Sequence, residues 1–162
     1  MRLFNYLFIV FFACNCFSYS VDSINDLLLS NKMTFEQKSV NEVANITQIS
    51  EGEIFRKNDV IRININTPFK EQYSINESHI EINDLEFNQT KLIEIQSLQN
   101  QTLLSILKLG FKTEDIENQN SNSFSFNIDG KIVVVRYISN KSFSVDYLDN
   151  LNILNTIVFR EA

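Results

Sequence analysis

Thiols, glycine, proline and tryptophan are scarce in this 162-residue chain, which has 2 Cys, 3 Gly, 1 Pro and no Trp. Both cysteines, Cys14 and Cys16, lie in the first stretch of the sequence. Beyond them there is no thiol, so neither a disulfide framework nor a thiolate nucleophile is available to the rest of the chain. The few glycines leave no phosphate-cradling loop, and no Gly-x-Ser-x-Gly elbow exists to present a serine nucleophile. The sole histidine, His79, sits in a polar stretch with Glu77, Ser78 and Glu81. A zinc site of histidines and cysteines is excluded by that count. Basic side chains are in the minority, 14 Lys and Arg against 20 Asp and Glu, for a net charge of −6. No basic face for nucleic acid or an anionic membrane is therefore expected. Carboxylates are plentiful, yet Asp22, Asp26, Asp84, Glu86, Asp146 and Asp149 show no spacing that selects a hydrolytic pair. These absences point away from an enzyme and from a metal or other cofactor.

What is present begins at the N-terminus. Met1-Arg2 precedes an apolar run from Leu7 to Ala13, and Ser18 and Ser20 place small residues two apart behind it. A positive start, a short apolar core and small residues before the cut make the three-part design of a secretory signal, with cleavage expected after Ser20. The run is too short for a bilayer, which needs about 20 apolar residues. Residues 1–20 are thus read as a signal peptide and 21–162 as one exported domain. Ala13-Cys14 also resembles a lipoprotein cleavage box, with Phe11 and Phe12 where small or aliphatic residues are usual. Lipidation at Cys14 is the alternative end.

Downstream the pattern is mostly that of strands. Met33, Phe35 and Gln37 alternate with polar residues, and Ile61-Arg62-Ile63-Asn64-Ile65-Asn66 alternates strictly before Pro68. Tyr73 and Ile75 lead into a polar turn at Asn76 to His79, then Ile80 and Ile82, with Leu85 and Phe87 continuing the series. Phe124, Phe126 and Ile128 run into Asp129-Gly130, a hairpin turn. Phe143, Val145 and Tyr147 alternate again, and Ile157 and Phe159 close the chain. The Asn-rich stretch Glu117 to Ser123 reads as a surface loop. Ser23 is a candidate cap for a helix reaching about Asn31. A second helix follows Thr102, with an apolar stripe of Leu103, Leu104, Ile106 and Leu107 and Gly110 as its C-terminal cap. That stripe suits either core packing or a lid. Together these elements predict a mainly β, α+β fold: a twisted antiparallel sheet or partial barrel with helices on one side. A concave sheet carrying many of the 14 Phe and 5 Tyr would either bind an apolar ligand or be filled as a core.

One segment favours the first option. Phe35-Glu36-Gln37, Gly52-Glu53-Ile54-Phe55-Arg56-Lys57, Ile61-Arg62-Ile63, Thr67-Pro68, Tyr73-Ser74-Ile75 and Asp84 to Gln89 follow one another in an order and spacing that resemble the LolA/LolB superfamily of outer-membrane lipoprotein carriers. That family carries a Phe-x-Gln strand, a Gly-x-Leu strand followed by Arg-Pro, and a Phe-Arg-Trp-like strand ending in Pro. A Tyr-Asp strand with Gln five residues on completes the series. The match departs from the pattern where Ile63 replaces the tryptophan and where the Arg-Pro position falls on Arg56 or on Lys57-Asn58.

The resemblance implies an unclosed, strongly twisted antiparallel half-barrel whose short helices form a lid over an apolar cavity. The cavity and lid would draw on Phe35, Ile54, Ile61, Ile63, Ile65, Ile80, Ile82, Leu103, Leu104, Ile106 and Leu107. Arg56 or Lys57 would latch the lid by bonding a carbonyl of the first or second helix. The ligand implied is the acyl chains of a lipoprotein, received from an inner-membrane lipoprotein-releasing ABC transporter and passed to an outer-membrane acceptor lipoprotein. The carrier would be a periplasmic monomer. Lipidation at Cys14 would instead make the chain an anchored, LolB-like acceptor.

Overall fold

In a chain with so little glycine and proline, strand alternation runs with few interruptions, and the computed structural model shows the result over residues 20–98, 102–128, 130–149 and 151–162. The stretch read as a signal lies outside the described residues except for Ser20, as do Asp129 and Asn150.

The first helix, α1 (Val21–Leu28), leads into a meander of β1 (Lys32–Asn41), β2 (Ile46–Lys57), β3 (Val60–Thr67), β4 (Glu71–Ile75), β5 (His79–Asp84) and β6 (Gln89–Glu94). Helix α2 (Thr102–Leu109) links this wing to a second meander of β7 (Ile116–Gln119), β8 (Ser123–Ile128), β9 (Lys131–Ser139), β10 (Ser142–Leu148) and β11 (Leu154–Glu161). The last strand pairs antiparallel with the first, Phe35 opposite Phe159, which joins the two meanders. Among the described residues the result is one sheet of 11 strands in the order β6-β5-β4-β3-β2-β1-β11-β10-β9-β8-β7. Strands β6 and β7 are its two edges, so the sheet is open and does not close into a barrel.

Alternation puts one side chain of every two on the inner face. Phe143, Val135 and Met33 are the most buried of these, at 0%, 0% and 1% exposure. The seam between the wings is aromatic. Phe143 stacks on Phe159 with ring centroids 4.9 Å apart, and Phe35 lies 6.5 Å from Phe159 on the other side. Gly52 faces Phe35 across β1 and β2, and a Cβ there would stand 2.6 Å from the Phe35 ring and 2.2 Å from the Asn64 carbonyl oxygen. The missing side chain is what lets the ring lie over the strand. Phe111, just after α2, packs edge-on to Phe124 at 5.2 Å and against Phe126 at 5.4 Å.

Several boundaries differ from the sequence reading. Ser20, not Ser23, caps α1: its hydroxyl accepts the Ser23 amide at 3.2 Å, and the helix ends at Leu28. Leu85 and Phe87 do not extend a strand but sit exposed in a turn, because the Asp84 carboxylate accepts the Glu86 and Phe87 amides at 2.9 and 3.0 Å. His79 opens β5 rather than closing the turn before it. Part of the Asn-rich stretch forms the edge strand β7, since backbone pairing to β8 requires no apolar side chain on the exposed edge.

Candidate functional site

The inner face is not filled by the helices. Between them and the sheet lies a cavity of about 510 Å³. Its walls follow from the register. On the first wing, Ile54, Ile63 and Tyr73 stand side by side across β2, β3 and β4, with Ile65 one step along. On the second wing Phe126, Val133, Val145 and Ile157 line it, and Phe35, Phe143 and Phe159 form its floor at the seam. The roof is Leu28 of α1, Ile106 and Leu107 of α2, and Phe111.

The residues expected from the sequence divide into two sets. Phe35, Ile54, Ile63, Ile65, Ile106 and Leu107 meet at the cavity. Ile61 and Leu104 are buried in packed core, and Ile80 packs against that core. Ile82 is partly buried, opposite Tyr73 on the neighbouring strand, and does not line the space. Leu103 belongs to α2, but its side chain lies outside the described ones. Phe143, Phe159, Val145 and Phe126 line the space without having been singled out. Their alternation was visible, but their convergence with Phe35 required knowing that β11 pairs with β1.

One end of the cavity is polar. Gln37, Lys131, Tyr147 and Asp149 line it there. Gln37 donates to the amide oxygen of buried Asn155 at 2.9 Å, and Ser39 donates to the same oxygen at 2.6 Å. The Lys131 ammonium donates to the backbone carbonyl of Asp149. Burial, with the Asp149 charge added, pushes the Tyr147 phenol above its ordinary pKa. On the opposite wall burial, with a 2.7 Å hydrogen bond to the Glu71 carboxylate and its charge, pushes Tyr73 up to about 12. Both phenols thus stay protonated in neutral water, and Tyr73 donates to Glu71.

The other end is closed by α1 and its fastenings. A helix leaves its last carbonyls without internal partners. Arg56 supplies one: its Nε and Nη2 both donate to the Leu28 carbonyl, at 3.0 and 2.7 Å. A cation at that end also complements the helix dipole. Burial lowers the Arg56 pKa, and Nη1 is buried without a protein partner. The hold is therefore strong at one carbonyl and incompletely satisfied overall. Lys57, the next residue along β2, is exposed, and its side chain makes no hydrogen bond or ion pair with the described residues. A second tie, not anticipated from the sequence, is Asn25 of α1. Its side-chain amide donates to the Phe111 carbonyl at 2.9 Å and accepts the Phe111 amide at 2.7 Å, as a strand neighbour would. The adjoining Gly110, at φ +82, leaves room for it: a Cβ would lie 2.6 Å from the Asn25 oxygen. Among the described residues no three His, Cys, Asp or Glu side chains gather where they would hold a metal ion.

No protein-family model matches the chain, and no curated protein matches it. Among solved structures, a LolA superfamily protein from Nitrosomonas europaea is similar, with a TM-score of 0.52 over 87% of this chain and 90% of that one, at 6% identity. At that identity the likeness is one of fold: the chain has a distant LolA-like fold.

Proposed function

We propose that the protein is a periplasmic carrier that shields the acyl chains of lipoproteins in its cavity on the way from the inner to the outer membrane. The observation that supports this most is an apolar cavity roofed by two helices, one of which is fastened to the sheet through a single arginine. An acyl chain exposes about 0.8 kcal/mol of apolar cost per methylene to water, so a lipid-modified protein needs a cover to cross an aqueous space. A carrier must also release its cargo. The polar ties of the roof are few, Arg56 to the Leu28 carbonyl with Nη1 unpaired and Asn25 to Phe111, and hydrogen bonds of this kind can be exchanged for others at modest net cost. In this reading an inner-membrane ABC transporter loads the cavity and an outer-membrane acceptor lipoprotein empties it. The protein acts as a binding protein, not an enzyme.

The test is to purify the exported protein and measure binding of a fluorescent fatty acid and extraction of an acylated lipoprotein from membrane vesicles. The proposal expects both at micromolar protein; absence of both sinks it.

A second reading, an anchored acceptor lipidated at Cys14, is favoured by one observation. Ser20 caps α1, and Val21 beside it is buried. A cut after Ser20 would remove that cap and leave an ammonium at the positive end of the helix dipole. Cleavage before Cys14 keeps the cap. Intact mass of the exported protein decides: an acylated Cys14 terminus supports the acceptor, and a Val21 terminus excludes it.

A further inference from the structure

Resting on the reading that the ligand is an acyl chain, we infer that the cavity takes one chain at a time, its oxygen-bearing end at Lys131 and Tyr147 and its methyl end under Leu28 and Phe111. The volume sets the count. The cavity holds about 510 Å³. If a methylene fills close to a water's share of liquid volume, about 30 Å³, that space accepts roughly 17 of them, a single long chain. Two or three chains would have to extend beyond that volume or part the walls. The floor resists this, because Phe143 is fully buried and stacked on Phe159. The roof is tied by Arg56 to Leu28 and by Asn25 to Phe111.

The polarity sets the direction. Lys131 opens β9 across from Ile128, and Val133 and Val135 then face Phe126 and Phe124. Phe111 packs on those two rings, so the apolar roof and the ammonium lie at opposite ends of the same strands. The Lys131 ammonium already serves the Asp149 carbonyl, whose own carboxylate accepts the Leu151 and Ile153 amides at 2.7 and 3.0 Å. The ammonium and the Tyr147 hydroxyl are donors suited to a carboxylate or an ester, while the Gln37 amide is already engaged by Ser39 and Asn155 at 3.1 and 2.9 Å.

Native mass spectrometry and binding titrations on the exported protein test this, with saturated fatty acids of increasing length, their methyl esters, and mono- and triacylated lipopeptides as probes. We expect one fatty acid per protein and affinity that stops rising near 16–18 carbons. The triacylated peptide should bind within about threefold of the monoacylated one. Val145→Trp should shorten the preferred chain, and Lys131→Met should weaken the acid about tenfold while leaving the ester within about threefold. Two or more chains per protein, a tenfold preference for the triacylated peptide, or equal loss of acid and ester in Lys131→Met would overturn the inference while leaving the carrier reading standing. Failure of every chain to bind overturns both.

Discussion

The two helices are equally short, eight residues each, yet they are held in opposite ways. Helix α1 is satisfied at both ends, by the Ser20 hydroxyl at its start and by Arg56 at its last carbonyl. Val21, Ile24 and Leu28 make it part of the core, with Ile24 and Leu28 at 2% exposure. Helix α2 contributes buried Leu104, but Ile106 and Leu107 face the cavity and Leu109 is 66% exposed. One of its ties to the rest of the chain is Lys108, which donates to the Asn76 carbonyl at 2.7 Å. Helix α1 therefore closes one end of the fold and reaches the cavity through Leu28, while α2 faces it with Ile106 and Leu107. The energetic consequence is that stability should concentrate in α1 and ligand affinity in α2.

The sharpest way to break that contrast is to truncate one residue on each. Ile24→Ala removes a fully enclosed side chain and is expected to cost about 2–5 kcal/mol of unfolding free energy, read from urea titration. Leu107→Ala removes a side chain that borders a cavity and should cost about 1 kcal/mol, while weakening fatty-acid binding several-fold. Equal destabilisation by the two would show that α2 is as much core as α1.

A smaller effect is expected at Arg56. Arg56→Met removes both donors from the Leu28 carbonyl, a loss of about 1–3 kcal/mol, partly offset because the unpaired Nη1 is no longer buried. Release of a bound probe should quicken in stopped-flow displacement. Arg56→Lys should fall between the two, since an ammonium cannot reproduce the fork on one oxygen. Lys57→Ala, one residue away and exposed, should stay within about 0.5 kcal/mol of the parent. If Lys57→Ala quickened release as much as Arg56→Met, the latch would have to be sought outside the observed geometry.

The sequence made the strands legible where packing is periodic. Ile61 to Asn66 alternates because one face of β3 is inside and the other is not, and that much needs no partner strand. Alternation does not report depth. Ile61 and Ile63 share a face and a strand, yet Ile61 meets packed core and Ile63 meets the cavity. The same ambiguity grouped Leu104 with Ile106 and Leu107. The polar end was illegible for a different reason. Gln37 and Asn155 are 118 residues apart and come together only because the last strand pairs with the first. Edge strand β7 was hidden because its pairing is a backbone matter, and Ser20 because two serines, Ser20 and Ser23, both stood where a cap was needed. The arginine was legible through its order relative to Gly52 and Pro68, although that order alone did not separate it from Lys57.

The smallest expected effect separates the walls from the roof. Tyr73 sits on the wall opposite Tyr147, held protonated by burial and by its bond to Glu71. Its folded pKa, about 12, lies above the ordinary value of 10.0, so the folded state binds this proton more tightly than the unfolded chain does. That contribution is complete below pH 10 and is lost as pH rises toward 12. Tyr73→Phe removes it, so the variant's thermal midpoint should fall less than the parent's between pH 8 and pH 11. Tyr147, raised in the same direction by burial and Asp149, keeps part of the alkaline loss in the variant. Because neither phenol touches the Arg56 and Asn25 ties, the rate of probe release at pH 8 should be unchanged by Tyr73→Phe. A change in that rate would mean that the wall and the roof move together, and the division between a fixed α1 and a cavity-facing α2 would then describe packing without describing release.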